Sequence, residues 1–242
     1  MRCKYPQNSQ LQNGYTIMRC GLCAACRSTR QASWIARLLL EQYEIGFGNF
    51  VTLTYDQEHV TQQLEYQHIQ AFLKRLRKNT HWKIRFFCVG EYGSKTGRPH
   101  WHLLTFQKEN LWTASPIVTA AWRAGFIQIS PTPLSTKEIG YCLKYMWKEE
   151  LSLARMSRNP GLGLRPLYDR GVFAGKQYRA VSLPLSVNID GRRYPLDRSM
   201  RQAFETGVAQ SGGRVYKHSN AAHDLKTRVL FIKKGGTDFA YT

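Results

Sequence analysis

The period of apolar and polar positions changes several times along the chain, and each change marks an element. Trp34, Ile35, Leu38, Leu39 and Tyr43 recur at helical spacing and form one apolar face. Ser28 or Thr29 is the expected cap of that helix, and Gly46 and Gly48 are expected to stop it. Phe50-Val51-Thr52-Leu53-Thr54-Tyr55 is β-branched and aromatic throughout and predicts a strand. A helix from about Gln63 to Lys78 follows, with Leu64, Ile69, Phe72, Leu73 and Leu76 as its inner stripe. Lys83 to Glu91 and His100 to Phe106 read as two strands of a hairpin turning through Gly93, Gly97 and Pro99. A short helix near Ile117 to Arg123 and a strand over Phe126 to Ser130 come next. Ser135-Thr136-Lys137-Glu138 is a capping-box pattern that opens a helix to about Glu149.

The order strand, helix, strand, strand, helix, strand, helix predicts an α+β domain. It is the split βαβ pattern of a ferredoxin-like (RRM-like) fold, with a four-stranded antiparallel sheet and an extra helix. The adjacent hairpin argues against a doubly wound parallel sheet. Beyond Leu151 the periodicity fades, leaving short strand-like runs at Ala180 to Val187 and Val229 to Lys233. The expected organisation is a Cys-rich segment with a helix over residues 1–46, packed on a main domain at 47–150. An irregular basic extension follows over 151–242.

With 242 residues, 43% of them apolar, the chain can bury a core, which excludes full disorder. No apolar run approaches the length that spans a bilayer core of about 30 Å. The first ten residues hold no apolar signal region, so neither a membrane nor an exported protein is expected. Charge adds a partner. The formal net charge is +19, nearly evenly shared between residues 1–150 and 151–242, and aromatics make up 12%. A basic chain rich in aromatics points to a polyanion, most simply nucleic acid. Phosphate neutralisation would supply affinity and ring stacking would hold unpaired bases. Lys74, Arg75, Arg77 and Lys78 crowd the end of one predicted helix, where they complement its dipole, form a solvated face or face DNA. Arg98 lies just before the histidines described next.

In Arg98-Pro99-His100-Trp101-His102, residues two apart on a strand share a face. His100 and His102 therefore stand together while Trp101 points to the other side. Two histidines on a strand are commonly plain surface or core residues; Glu91, on the partner strand of the hairpin, adds a carboxylate and makes a divalent-cation site. Tyr141 and Tyr145 are one helical turn apart, with Lys144 beside them. Alone, that pair reads as an aromatic core stripe. Four of six cysteines fall at positions 3, 20, 23 and 26. Cys3, Cys20, Cys23 and Cys26 form either a structural Cys₄ zinc site or a set of unligated thiols in a reducing compartment. Cys88 and Cys142 read as small buried hydrophobes.

Taken in order, Phe50 to Tyr55, Gly90-Glu91-Tyr92-Gly93, Pro99-His100-Trp101-His102, Tyr141 to Tyr145 and the N-terminal Cys20 to Arg27 run resemble the HUH endonucleases. They look most like the rolling-circle replication initiators of the microviruses, particularly the gokushovirus group. The resemblance covers roughly residues 1–150. It implies a metal-binding set of Glu91, His100 and His102 holding Mg²⁺ or Mn²⁺. It also implies Tyr141 and Tyr145 as nucleophiles, assisted by Lys144, and a 5′-phosphotyrosyl link to single-stranded DNA at a replication origin. The 3′-hydroxyl left behind would prime a host DNA polymerase in the bacterial cytoplasm. A host helicase would supply unwinding, since the chain carries no G-x-x-x-x-G-K-[ST] loop. Competing readings are a transposase or plasmid initiator with the same chemistry, a metal hydrolase using water, and a non-catalytic single-strand binder.

Overall fold

The computed structural model describes residues 3–11, 14–61, 63–93, 97–148, 153–178, 180–216 and 229–232. The chain divides into two compact units, Arg37–Asp169 on one hand and Met1–Ala36 with Arg170–Thr242 on the other. In the second of these, β1 (Gln7–Leu11) and β2 (Gly14–Met18) form an antiparallel hairpin that the sequence pattern did not predict. Helix α1 spans Ala24–Ile45 and is longer than expected at its start. Thr29, expected as a cap, lies inside it and returns its hydroxyl to the Ala25 carbonyl, as Ser33 does to Thr29. The first turn is set instead by the Cys26 and Arg27 amides bonding to the Cys23 carbonyl.

In the unit Arg37–Asp169, Gly46 ends α1 with φ +118°, a conformation that favours glycine. Gly48 does not stop the helix; it lies in β3 (Phe47–Tyr55). A Cβ there would fall 2.7 Å from Leu134 Cδ1, so the strand needs glycine for close packing. Next come α2 (Tyr66–Thr80), β4 (Arg85–Tyr92), β5 (Pro99–Gln107), α3 (Ser115–Ala121) and β6 (Gly125–Ile129). Helix α4 (Thr136–Lys148) and β7 (Leu153–Met156) follow. The expected end of α4 at Glu149 and the hairpin turn at 94–96 lie outside the described residues.

The sheet has five strands rather than the expected four, in the order β6-β3-β5-β4-β7, every neighbour antiparallel. The added strand, β7, covers the β4 edge through pairs such as Phe87 with Met156. At four residues it is too short to announce itself by alternation. One face of the sheet presents Val51, Leu53, Tyr55, Phe86, Cys88, Trp101 and Leu103. These pack with Ile69, Phe72, Leu73 and Leu76 of α2 and Val118 and Ala121 of α3. Helix α4 packs on β4 and β5. Between the Trp101-facing positions, Phe87, Val89, Leu104 and Phe106 point to the opposite face and are fully buried.

The region without a predicted fold contains α5 (Arg165–Gln177), β8 (Ala180–Ser182), β9 (Ser186–Ile189), β10 (Arg192–Pro195), α6 (Arg198–Gln210), β11 (Arg214–Tyr216) and β12 (Val229–Ile232). Ala174, Val181, Leu183, Phe204 and Val208 form its small core. The expected strand-like runs fall on β8, β9 and β12, except that Lys233 lies outside the described residues. Among the described residues no helix is long and apolar enough to cross a membrane.

Trp101 is fully buried and donates its indole N–H to Tyr55 Oη at 3.1 Å. Trp101→Ala should lower the free energy of urea unfolding by about 3–5 kcal/mol. A loss under about 1 kcal/mol, the scale of a surface change, would refute this placement.

Candidate active site

The site grows from the register of β5. His100 lies opposite Glu91 on β4 and Thr54 on β3, and His102 lies opposite Val89 and Thr52. Strand alternation turns both imidazoles away from the Trp101 face. His102 is almost fully buried, as is Glu91. Its Nε2 lies 2.7 Å from Glu91 Oε1 and its Nδ1 3.1 Å from Thr52 Oγ1. If Nε2 carries the proton, the ring donates to the carboxylate and accepts from the threonine hydroxyl. If Nδ1 carries it, the ring donates to Thr52 and turns a lone pair toward Glu91. The Phe50 ring stacks on His102 with centroids 5.5 Å apart. Burial pulls the His102 imidazole below its ordinary range, although the Glu91 carboxylate pulls the other way.

His100 is half-buried, and its Nδ1 has no hydrogen-bond partner among the described residues. Gly93 closes over the other side of the ring, where a Cβ would come within 2.9 Å of His100 Nε2. The two imidazole centroids are 6.4 Å apart. Among the described residues, only the four N-terminal cysteines gather three or more His, Cys, Asp or Glu donor atoms within 4.8 Å of one another.

Helix α4 brings the tyrosines. Its capping box forms as expected: Glu138 Oε2 accepts from the Ser135 amide at 2.9 Å and from the Ser135 hydroxyl, while Ser135 Oγ accepts from the Lys137 amide at 3.1 Å. That start fixes the helix phase. Ile139, Cys142 and Leu143 turn inward and are fully buried. Tyr141 and Tyr145 flank this stripe, so they are not the core stripe their spacing alone suggests. Tyr141 is 41% exposed and sets its edge against His102 at 5.2 Å and Phe50 at 6.0 Å. Tyr145 stacks on His102 at 5.9 Å, and its hydroxyl donates to Tyr141 Oη at 3.1 Å. That hydrogen bond, with burial and the negative charge of Glu91, pushes the Tyr145 phenol well above its usual range. Lys144 is exposed on the same helix.

The remaining sequence candidates fall elsewhere. Arg98 donates to the Tyr55 carbonyl at 3.4 Å and to Gln57 Oε1 at 2.8 Å. Arg75 donates to the Ala121 carbonyl at 2.8 Å. Arg77 donates twice to the Ile84 carbonyl, at 3.0 and 2.6 Å, and lies over the Phe86 ring. Lys74 and Lys78 are exposed. All four of these α2 bases belong to the helix that covers the Trp101 face, across the sheet from the histidines. Cys3, Cys20, Cys23 and Cys26 do come together. Sequence reasoning missed Thr52, Phe50 and Gly93 as parts of the site. The first two were open to it: on the central strand they share a face by alternation, and pairing with β5 puts that face under His102.

With metal removed, NMR titration should find His102 protonating below the usual imidazole range. Glu91→Gln should lower the midpoint further, because it deletes the charge that favours imidazolium. An unchanged or raised midpoint in that variant would show that the carboxylate does not hold the ring.

Residues 48–150 match the family described as replication-associated protein ORF2. The replication-associated protein ORF2 of Spiroplasma virus 4 is 28% identical over 257 aligned positions, covering 91% of this chain and 79% of that protein. The replication-associated protein ORF4 of Chlamydia phage 1 is 37% identical over 92 residues, 36% of this chain and 23% of that protein. The replication-associated protein VP4 of Bdellovibrio phage phiMH2K is 34% identical over 96 residues, 36% of this chain and 30% of that protein. The matches to the last two thus span less than a third of those proteins' own length. Among solved structures, the hypothetical protein ORF119 of Sulfolobus islandicus rod-shaped virus 1 aligns with a TM-score of 0.31 and 19% identity, over 46% of this chain and 87% of that one. By residues 48–150, the stretch that holds Glu91, both histidines and both tyrosines, the chain is a member of the replication-associated protein ORF2 family and a relative of the microvirus replication proteins.

Proposed function

We propose that the chain is an HUH-type endonuclease that starts rolling-circle replication by nicking single-stranded DNA at the origin of a microvirus genome. One observation carries the reading: two tyrosine hydroxyls 3.1 Å apart stand over the hydrogen-bonded pair of His102 and Glu91. The strand order β6-β3-β5-β4, with α2 and α3 on one face, supports a ferredoxin-like HUH domain.

The donor set fits a divalent cation. His102 Nε2 is already aligned on a carboxylate oxygen, and His100 Nδ1 is buried without a hydrogen bond among the described residues. An unsatisfied buried nitrogen costs on the order of 1–3 kcal/mol, which a ligand would relieve. One carboxylate with two imidazoles suits Mn²⁺ and permits Mg²⁺. Bound there, the cation supplies positive charge that polarises the scissile phosphate.

The chain's own groups do the rest. Thr52 takes the Nδ1 side of His102, so Nε2 and Glu91 face the site. A tyrosine oxygen attacks phosphorus; a Tyr–O–P bond forms, the P–O3′ bond breaks, and the 3′ oxygen leaves as a hydroxyl after taking a proton. The Tyr145 hydroxyl donates to Tyr141 and so stabilises a Tyr141 phenolate, which makes Tyr141 the first nucleophile. Lys144 offers charge to a phosphate oxygen. The ester conserves the energy of the broken bond, and Tyr145 can cut again after one circuit so that the new 3′ end resolves the first link. Polymerase and helicase come from the host, in the bacterial cytoplasm.

Denaturing gels with 5′- and 3′-labelled single-stranded origin DNA test this. A covalent adduct should form with Mn²⁺, carry only the label downstream of the nick, and vanish in EDTA. Tyr141→Phe should abolish the first adduct. Tyr145→Phe should slow it by about 10–100-fold, the worth of one hydrogen bond to a charged oxygen. The double substitution should leave no adduct. Cleavage without an adduct would indicate a water-using nuclease, and binding without cleavage a single-strand-binding protein; either defeats the proposal.

A further inference from the structure

The four N-terminal cysteines come from two separate stretches. Cys20, Cys23 and Cys26 lie on the turn into α1, and Cys3 reaches them from before the β1–β2 hairpin. All four sulfurs lie within 4.8 Å of one another. Cys20 Sγ and Cys26 Sγ are 3.9 Å apart, and Cys23 Sγ and Cys3 Sγ are 4.0 Å apart. A tetrahedron with zinc–sulfur bonds of about 2.3 Å has edges of about 3.8 Å. Disulfide sulfurs would be separated by only about 2.05 Å. The spacing is that of four ligands around one ion, and it is too tight for the wider cage of a multi-iron cluster.

The surroundings favour thiolate. The Cys20 amide points at Cys3 Sγ at 3.3 Å, and the Cys23 amide at Cys20 Sγ at 3.4 Å. Amide donors pull the Cys23 thiol down to about 6 and lower Cys20 as well. Cys23 also sits at the start of α1, where the helix dipole favours negative charge. Four thiolates around a divalent ion leave a net charge of −2, and arginines lie close by. Arg19 donates to the Ala25 carbonyl at 3.2 Å and Arg30 to the Gly21 carbonyl at 3.4 Å.

No apolar anchor does this work instead. Tyr5, Met18 and Leu22 are 68%, 52% and 78% exposed. Ala25 is the first apolar side chain other than cysteine that is buried among those whose burial is described. We infer that Cys3, Cys20, Cys23 and Cys26 hold a structural zinc ion that fastens the N-terminal hairpin to the start of α1. The ion is no part of the nicking centre, so this inference stands whether or not the nicking reading does.

The test is metal analysis of the full chain, purified under reductant without added metal, with X-ray absorption at the zinc edge. One zinc per chain, surrounded by four sulfurs at about 2.3 Å, is expected. Cys3→Ser and Cys23→Ser should weaken zinc by more than about 100-fold, beyond the usual cost of losing an outer-shell partner. Cys88→Ala, in the sheet core, should retain it. A folded chain without zinc and with four reactive thiols would overturn the inference. Iron in its place, zinc bound by nitrogen and oxygen, or full zinc binding in both serine variants would do the same. If the serine variants do not fold, the absorption spectrum of the unaltered chain with the Cys88→Ala control decides.

Discussion

The site depends on the two-residue alternation of β5. Trp101 is fully buried and bonded to Tyr55, and its neighbours on either side are the two histidines. A slip of one residue would send an indole to the polar face and an imidazole into the apolar layer. Pairing on both sides prevents that, with β3 and β4 each holding β5 over eight residue pairs. The buried pair of His102 and Glu91 is not itself a strong source of stability, because taking polar groups out of water costs most of what their attraction returns. The sheet around it carries that cost. The pair is thus an outcome of the packing rather than its cause, which is what a site built for chemistry requires.

The tyrosines obey a second phase rule, set by a cap instead of a register. Because Ser135 and Glu138 fix where α4 begins, Ile139, Cys142 and Leu143 fall on the sheet and the tyrosines fall at its border. Had the phenols taken the inner positions, they would be buried and unable to reach a phosphate. At the border, each keeps a ring against His102 and a hydroxyl toward its partner. Two independent local codes, strand alternation and helix capping, meet at one imidazole.

Those codes were legible in the residues because both are local. His100, Trp101 and His102 declare their faces by parity, and the capping box declares the phase of α4. The order of the sheet's first four strands followed from element types. What was hidden needed tertiary contact. Strand β7 is too short to show a period, and its pairing with β4 depends on a chain reversal after α4. Gly48 looked like a helix stop because its actual reason, the approach of Leu134, is distant in sequence. Thr29 looked like a cap because hydroxyl residues serve both at caps and inside helices, and only the position of Cys23 decides between them. The fold after residue 151 was illegible because its strands have three or four residues each and its described core is five side chains.

The basic charge also needs the structure to be read correctly. A net +19 suggests a surface of phosphate-binding forks. Yet Arg75, Arg77 and Arg98 direct their guanidinium groups at main-chain or amide oxygens, and Arg85 is paired with Glu41. The planar fork suits such bracing, and a lysine would replace it poorly. A guanidinium bonded to a carbonyl still carries its charge, so the long-range field that draws in a polyanion is undiminished. What is reduced is the number of groups able to bind a phosphate at close range, and exposed lysines such as Lys74, Lys78 and Lys144 are better placed for that. Of these, only Lys144 shares an element with the tyrosines. Attraction is therefore a property of the whole chain, while phosphate positioning at the site falls to few groups, which is why the geometry around His102 matters more than the sum of the charge.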